Sequence, residues 1–166
     1  MIIYLYGLPG VGKNYIGEIF KNKFNFNFID ADDYLPINMK TKLKNGKHFT
    51  KEEISNYHKI IAYNIFELKT LYSNLVITQA SLFREHRKII KNLNPEIKFI
   101  HIRSDINTIN KRLKKRNGYV TQEYSDHLHK YLEVESNDTY IENNLNTTVE
   151  DLIDIISDLL HNIIIN

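Results

Sequence analysis

Gly7-Leu8-Pro9-Gly10-Val11-Gly12-Lys13-Asn14 carries the spacing G-x-x-x-x-G-K, which suits the holding of a phosphate. A turn tight enough to aim successive backbone N–H groups inward needs glycine, and the donors gathered there wrap an anion. A helix beginning at Lys13 adds its positive N-terminal end to the same anion, and Lys13 supplies a movable cation for the β and γ phosphates of a nucleotide. Cofactor contacts are therefore expected from Gly7, Leu8, Pro9, Gly10, Val11, Gly12, Lys13 and Asn14, with Lys13 also catalytic. After the lysine such a motif normally has Ser or Thr, whose hydroxyl ligates Mg²⁺. Here Asn14 offers an amide oxygen, which also binds a hard cation provided its NH₂ points elsewhere. Asn14 is thus an expected metal ligand, and it leaves open a nucleotide-binding protein with impaired catalysis.

Asp30-Ala31-Asp32 is the second group of chemical interest. It follows a short apolar run, and in an open parallel sheet the carboxyl edge of the strands is where ligands sit. Two carboxylates one residue apart can divide the work, one holding Mg²⁺ through water and the other accepting a proton from a substrate hydroxyl. A third group, Lys111-Arg112-Leu113-Lys114-Lys115-Arg116, places Arg112 and Arg116 on one helix face. It has no interleaved aromatics of the kind that stack nucleic-acid bases.

These groups need elements to position them. Ile2–Tyr6 is an apolar run too short for a helix and reads as a strand buried on both faces. A helix follows from Lys13 to about Phe24, then a strand at Phe26–Ile29. Pro36 through Gly46 reads as irregular or broken helix. Thr50-Lys51-Glu52-Glu53 is a capping box that opens a helix to about Tyr72. Leu75–Thr78, Ile97–Ile102 and Thr139–Ile141 complete the strands. Helices are expected from Glu85 to Leu93, from Asp105 to about Arg116, over a short stretch to about Leu132, and along the amphipathic segment that begins at Val149. Strands alternating with helices predict an α/β fold, a parallel sheet covered on both faces.

At 166 residues and 42% hydrophobic content the chain is the size of one domain with a real core. Its net charge of +2 gives no reason to expect a nucleic-acid or acidic-membrane partner. The absence of cysteine removes disulfides, thiolate chemistry and Cys-based zinc sites. No apolar run approaches the roughly 20 residues needed to span a bilayer, and no signal-peptide pattern opens the chain, so the expected location is cytoplasmic. His127 and His129 are spaced wrongly for a helical metal pair, and Ser81 and Ser104 lack a nucleophile-elbow context.

Taken together, the glycine loop and Asp30-Ala31-Asp32-x-x-x-Pro36 resemble the gluconate kinases, within the larger shikimate kinase and nucleoside-monophosphate kinase group. The resemblance continues through Lys42-Leu43-Lys44-Asn45-Gly46 and Thr78-Gln79-Ala80 to Arg112-Leu113-Lys114-Lys115-Arg116-Asn117-Gly118-Tyr119, which is similar to a lid motif. It implies a P-loop NTPase fold of three layers, α/β/α, with a five-stranded parallel sheet of order 2-3-1-4-5 and a short lid at about 112–130. The implied reaction moves the γ-phosphoryl group of ATP to a hydroxyl of a small sugar acid, gluconate to 6-phosphogluconate. Alternatives within the fold are a shikimate-like, nucleoside or nucleotide kinase.

By this resemblance Asp32 faces the substrate as base or orienter, Asp30 lies nearer magnesium, and Arg112 and Arg116 close over the phosphates. A monomer or homodimer without nucleic-acid or membrane partners is expected, with adenine contacts in the Asn143-Asn144 loop. For the acceptor's carboxylate, Lys42, Arg84 and Arg87, with Lys40, are the cations that can reach a pocket over the sheet, and Gln79 and His58 are their polar companions. The sequence departs from the gluconate kinases where Leu35 replaces a histidine, where Lys51-Glu52-Glu53-Ile54 replaces an acidic stretch ending in arginine, and where Tyr57 replaces a tryptophan.

Overall fold

Alternation along β1 (Ile2–Tyr6) sends Ile3 and Leu5 to one face of a sheet and Ile2, Tyr4 and Tyr6 to the other, and all five side chains are buried. That two-faced burial fixes β1 as an inner strand, and it lies at the centre of a five-stranded sheet of order β2-β3-β1-β4-β5. The other strands are β2 (Asn27–Asp30), β3 (Leu75–Thr78), β4 (Lys98–Arg103) and β5 (Tyr140–Glu142), and every pairing is parallel. The computed structural model describes residues 1–115, 122–134 and 138–165.

Helices cover both faces. On the Ile3 and Leu5 side lie α1 (Lys13–Phe24), α5 (Ile106–Lys115) and α7 (Val149–Ile165), through residues such as Ile16, Phe20, Ile109, Leu152 and Ile156. On the Tyr4 and Tyr6 side lie α2 (Ile37–Lys44), α3 (Lys51–Leu68) and α4 (Arg84–Leu93), through Met39, Tyr57, Ile61, Ile65 and Ile90. A short helix, α6 (Gln122–His129), follows α5. The three-layer α/β/α architecture and the strand order agree with the sequence-based expectation. Among the described residues no helix is long and apolar enough to cross a membrane.

Parallel pairing brings the carboxyl ends of the strands to one edge. Asp30 of β2 stands opposite Thr78 of β3, Thr78 opposite Leu5 of β1, and Tyr6 opposite His101 of β4. The glycine loop leaves β1 at this edge, and a 3₁₀ turn at Ala31–Tyr34 leaves β2 beside it.

Two local expectations change. The segment after Pro36 forms one regular helix, α2, rather than irregular or broken helix. Pro36 sits at its N-cap, and Gly46 ends it in the left-handed region at φ 65°, with Lys47 N–H donating to Lys42 O at 2.9 Å and Gly46 N–H to Leu43 O at 3.1 Å. α3 stops at Leu68 rather than near Tyr72, because the next residues turn away and Thr70 Oγ1 takes the carbonyl of Glu67 at 2.7 Å.

The capping box at Thr50 is formed in both directions: Glu53 N–H donates to Thr50 Oγ1 at 3.2 Å and Thr50 N–H to Glu53 Oε2 at 2.8 Å. Replacing Thr50 with Ala is expected to cost about 1 kcal/mol, read as a lower urea midpoint at unchanged m-value.

Candidate active site

The glycine loop is built as an anion cradle. Gly10 and Gly12 take φ of 88° and 90°, and Gly12 is the N-cap of α1. Such left-handed positions turn neighbouring amides toward one point. Among the described residues, the N–H groups of Gly10 and Gly12 have no hydrogen-bond acceptor within the protein. Donors so placed at a helix N-terminus can receive an anion. Lys13 Nζ lies back on the loop, donating to Gly7 O at 2.9 Å and Leu8 O at 3.0 Å.

What turns the Gly12 amide inward is a set of partners on the loop's outer side, at Val11 O of the same peptide unit and at Gly10 O beside it. Arg112 Nη1 donates to Val11 O at 3.1 Å, Gly10 O at 3.5 Å, Asn143 O at 2.9 Å and Ser104 Oγ at 3.2 Å. Asn143, which is buried, donates from Nδ2 to Val11 O at 2.8 Å and accepts from Arg112 Nη2 at 3.2 Å. A Cβ at Gly12 would run into the Asn143 amide, so this approach requires glycine there. Arg112 therefore holds loop carbonyls in this structure. Asn143 braces the loop from just past β5, a role nothing in the local sequence signals. Arg116 and the Gly118-Tyr119 part of the lid motif lie outside the described residues.

Beyond Lys13, the side chain of Asn14 spans two strand ends. Its Oδ1 accepts from Thr78 Oγ1 at 2.8 Å, and its Nδ2 donates to Asp30 Oδ2. The other oxygen of Asp30 accepts the Asp32 N–H at 3.1 Å. Asn14 and Asp30, the two expected metal ligands, are thus in direct contact. In this arrangement the amide's NH₂ faces the carboxylate. Among the described residues no group of three or more His, Cys, Asp or Glu side chains could hold a metal ion.

Next to the cradle is a cavity of about 310 Å³ between the loop, the acidic turn, α2, α3 and the segment after β3. Pro9, Asp32 and Gln79, three of the expected site residues, line it. Tyr57 sets the acidic turn, donating to Ala31 O at 2.6 Å and reaching Asp32 Oδ1 at 3.4 Å. Behind the wall, Ser81 Oγ lies 2.8 Å from Tyr4 OH, 2.9 Å from His58 Nε2 and 2.7 Å from Gln79 Oε1. His58 Nδ1 faces Ile54 O at 2.8 Å, and a carbonyl can only accept, so the proton is on Nδ1. Burial pushes the His58 imidazole down to about 4, and burial also lowers that of His86, stacked on it at 4.4 Å.

Three expected substrate cations are elsewhere. Lys42 pairs with Glu53, at 2.7 and 2.8 Å to its two oxygens, and does not line the cavity. Arg87 is buried under the Tyr6 ring, 4.3 Å from its centroid, and donates to the carbonyls of Ser81, Leu82 and Glu133. Arg84 reaches Val134 O at 3.1 Å and, like Arg87, borders a different groove. A long cation placed before or within a helix goes where carbonyls need it, and here those carbonyls belong to the loop behind the cavity. Of the lysines and arginines weighed for the acceptor, Lys40 alone lines the cavity.

An anion cradle at the head of a parallel sheet, sharing an edge with a small acceptor cavity, defines a P-loop small-molecule phosphotransferase of the α/β class. The family profile for shikimate kinase matches residues 9–160. The chain belongs to the shikimate kinase family, and it is a small-molecule kinase. It is 25% identical over 138 residues to a probable gluconokinase of Xenopus tropicalis, covering 72% of this chain and 70% of that protein. Its fold is shared with a sugar kinase from Janibacter sp. HTCC2649, at TM-score 0.83 and 21% identity over 96% of this chain and 93% of that one. A gluconokinase from Sinorhizobium meliloti 1021 superposes at TM-score 0.80 with 16% identity, over 99% and 95% of the two chains.

The neutral, buried His58 makes stability depend on pH with a definite sign. Its pKa is depressed in the folded state, so the unfolded chain binds a proton below about 6.5 that the folded chain refuses until about 4. Stability is full above that window and falls as pH drops through it. Between pH 7 and 5 this one group is expected to remove about 2 kcal/mol. Chemical denaturation at the two pH values should show His58→Gln losing correspondingly less than the wild type.

Proposed function

We propose that the protein transfers the γ-phosphoryl group of ATP to a hydroxyl of a small sugar acid, with gluconate, the acceptor named in its curated relatives, as the first candidate. The observation that carries this reading is the shared edge: amides of Gly10 and Gly12 without acceptors, Lys13 above them, and Asp32 in the adjoining cavity. The β and γ phosphates sit on the loop amides, and Lys13 leaves the carbonyls of Gly7 and Leu8 to neutralise them. Asp32 orients the acceptor hydroxyl and takes its proton, the oxygen attacks γ-phosphorus in line, and the bridging oxygen departs with ADP. Arg112 serves by holding the cradle's shape, and residues 112–130, with Arg116 among them, act as the lid.

Magnesium fits the donors beside the loop. Asp30, the Asn14 amide oxygen and the Thr78 hydroxyl are all oxygen ligands. A half-turn of the amide would aim Oδ1 at a cation and hand the NH₂ to Thr78, whose hydroxyl accepts as well as donates. When bound, the ion would offset negative charge on the transferring phosphoryl oxygens. The inward NH₂ also favours a second reading, a nucleotide binder with slow turnover, and Asn14→Ser separates the two. A gain of about tenfold or more in kcat supports the slow binder, whereas an unchanged or lower rate supports a working amide ligand.

Coupled ADP-release measurements with gluconate and other sugar acids test the main proposal. Lys13→Ala is expected to lose at least about a hundredfold in kcat. Asp32→Asn should keep ATP affinity, measured by calorimetry, and lose roughly 10²–10⁴-fold in transfer. Full activity in Asp32→Asn would rule that carboxylate out as the base.

A further inference from the structure

Among the described residues, the acceptor cavity is lined by one acid, Asp32, and by one lysine or arginine, Lys40. Its two histidines carry little positive charge at neutral pH, because burial holds His58 down to about 4 and lowers His86 as well. Helix α3 gives the cavity no lysine or arginine: Ile54, at the end of the stretch that closes with arginine in the gluconate kinases, lines it with carbon. A carboxylate drawn even partly out of water needs a positive partner. In this cavity that charge can come only from α2.

Lys40 is positioned by its helix. Its backbone N–H donates to Pro36 O at 2.9 Å, and the neighbouring Met39 is buried in the core, which pins this turn of α2. Lys40 and Leu43, three residues apart, share a helix face, and both line the cavity. Lys40 Nζ donates one hydrogen bond, to Asp33 O at 3.2 Å, and an ammonium has three hydrogens to give. Lys40 is also exposed, so its charge stands where the cavity meets solvent. Tyr57, Gln79 and His86 add polar side chains to the lining. Gln79 Oε1 accepts from the Ser81 N–H, so the NH₂ is the end of that amide left to donate.

Resting on the kinase reading above, we infer that Lys40 is the residue that selects a sugar acid over the neutral alditol of the same carbon chain. Its ammonium receives the acceptor's carboxylate, Asp32 takes the hydroxyl that is phosphorylated, and Tyr57, Gln79 and His86 lie along the hydroxyls between. The acid end of the acceptor is then at α2 and the reacting end at the glycine loop. Because Lys40 is exposed, the carboxylate stays partly hydrated at the cavity mouth. Its attraction is screened there, so the selection is about tenfold rather than many orders of magnitude.

Gluconate and glucitol, which differ in a carboxylate against a CH₂OH, test this with Mg-ATP, following ADP release and phosphorylated product by mass spectrometry. Where another sugar acid is used better than gluconate, that acid and its own alditol take their place. The wild type is expected to favour the acid by about tenfold in kcat/KM. Lys40→Met should raise KM for the acid by about tenfold with kcat little changed, and leave both the alditol and the ATP affinity measured by calorimetry as they were. Lys40→Arg keeps the charge and should keep most of the preference. Equal loss on acid and alditol, or a fall in ATP affinity, would mean that Lys40 acts through the fold and would overturn the assignment. An unchanged KM for the acid would overturn it too, and either result leaves the kinase reading standing. Should the wild type not use the alditol, the change in KM against kcat on the acid and the Lys40→Arg variant decide. If the wild type phosphorylates no sugar acid, the sugar-acid reading falls and the inference falls with it.

Discussion

A peptide unit cannot aim its N–H at a phosphate unless its carbonyl, pointing the other way, is also satisfied. That constraint organises the nucleotide half of the molecule. Val11 O is held from outside by Arg112 and Asn143, so the Gly12 N–H of the same peptide unit faces the opposite side; in the unit that carries the Gly10 N–H, Pro9 O accepts from Ser125 Oγ at 3.4 Å. The brace needs α5 and the end of β5 to arrive at the same place beside β1, and the order β2-β3-β1-β4-β5 brings them there. Ser104, just past β4, closes the arrangement by donating to Asn143 O at 2.6 Å. The cradle is thus preformed before any ligand arrives, which spares the ordering of a flexible loop on binding.

The acceptor half rests on a different set of contacts. Tyr57, from the middle of α3, reaches across to the acidic turn and fixes Asp32 relative to the sheet. Behind it, Tyr4, Ser81, His58 and Gln79 meet in a buried network that shapes the floor, with the one Ser81 proton shared between His58 Nε2 and Gln79 Oε1. Arg87, buried among carbonyls of the segment after β3, supports that floor from the far side. Polar residues that read as substrate contacts in sequence serve here to hold the wall in place. Asp32, Lys40, Tyr57, Gln79 and His86 are among the polar side chains that line the cavity.

Much of this is legible in the sequence, for local reasons. The glycine spacing, the apolar runs of the strands and the Thr50–Glu53 box are each decided within a few residues. The regularity of α2 is less legible, because it buries Met39 with little other apolar support, although Gly46 stands in the sequence as a helix-stop signal. The Asn143 brace was out of reach because it joins positions 132 apart. Lys42, Arg84 and Arg87 show why the site's cations are harder to read: a lysine or arginine looks alike in sequence whether it meets a ligand or the protein's own oxygens, and burial and partners distinguish the two.

The central claim is that the braced glycine loop receives the phosphates. Titration of ATP into ¹⁵N-labelled protein, followed through backbone amide resonances, tests it at the atoms concerned. The expected result is that Gly10 and Gly12 show the largest downfield amide-proton shifts in the wild type, and that Arg112→Ala weakens both the shifts and the affinity. Resonances of Gly10 and Gly12 that stay fixed at saturation, with shifts gathered on another surface, would contradict it.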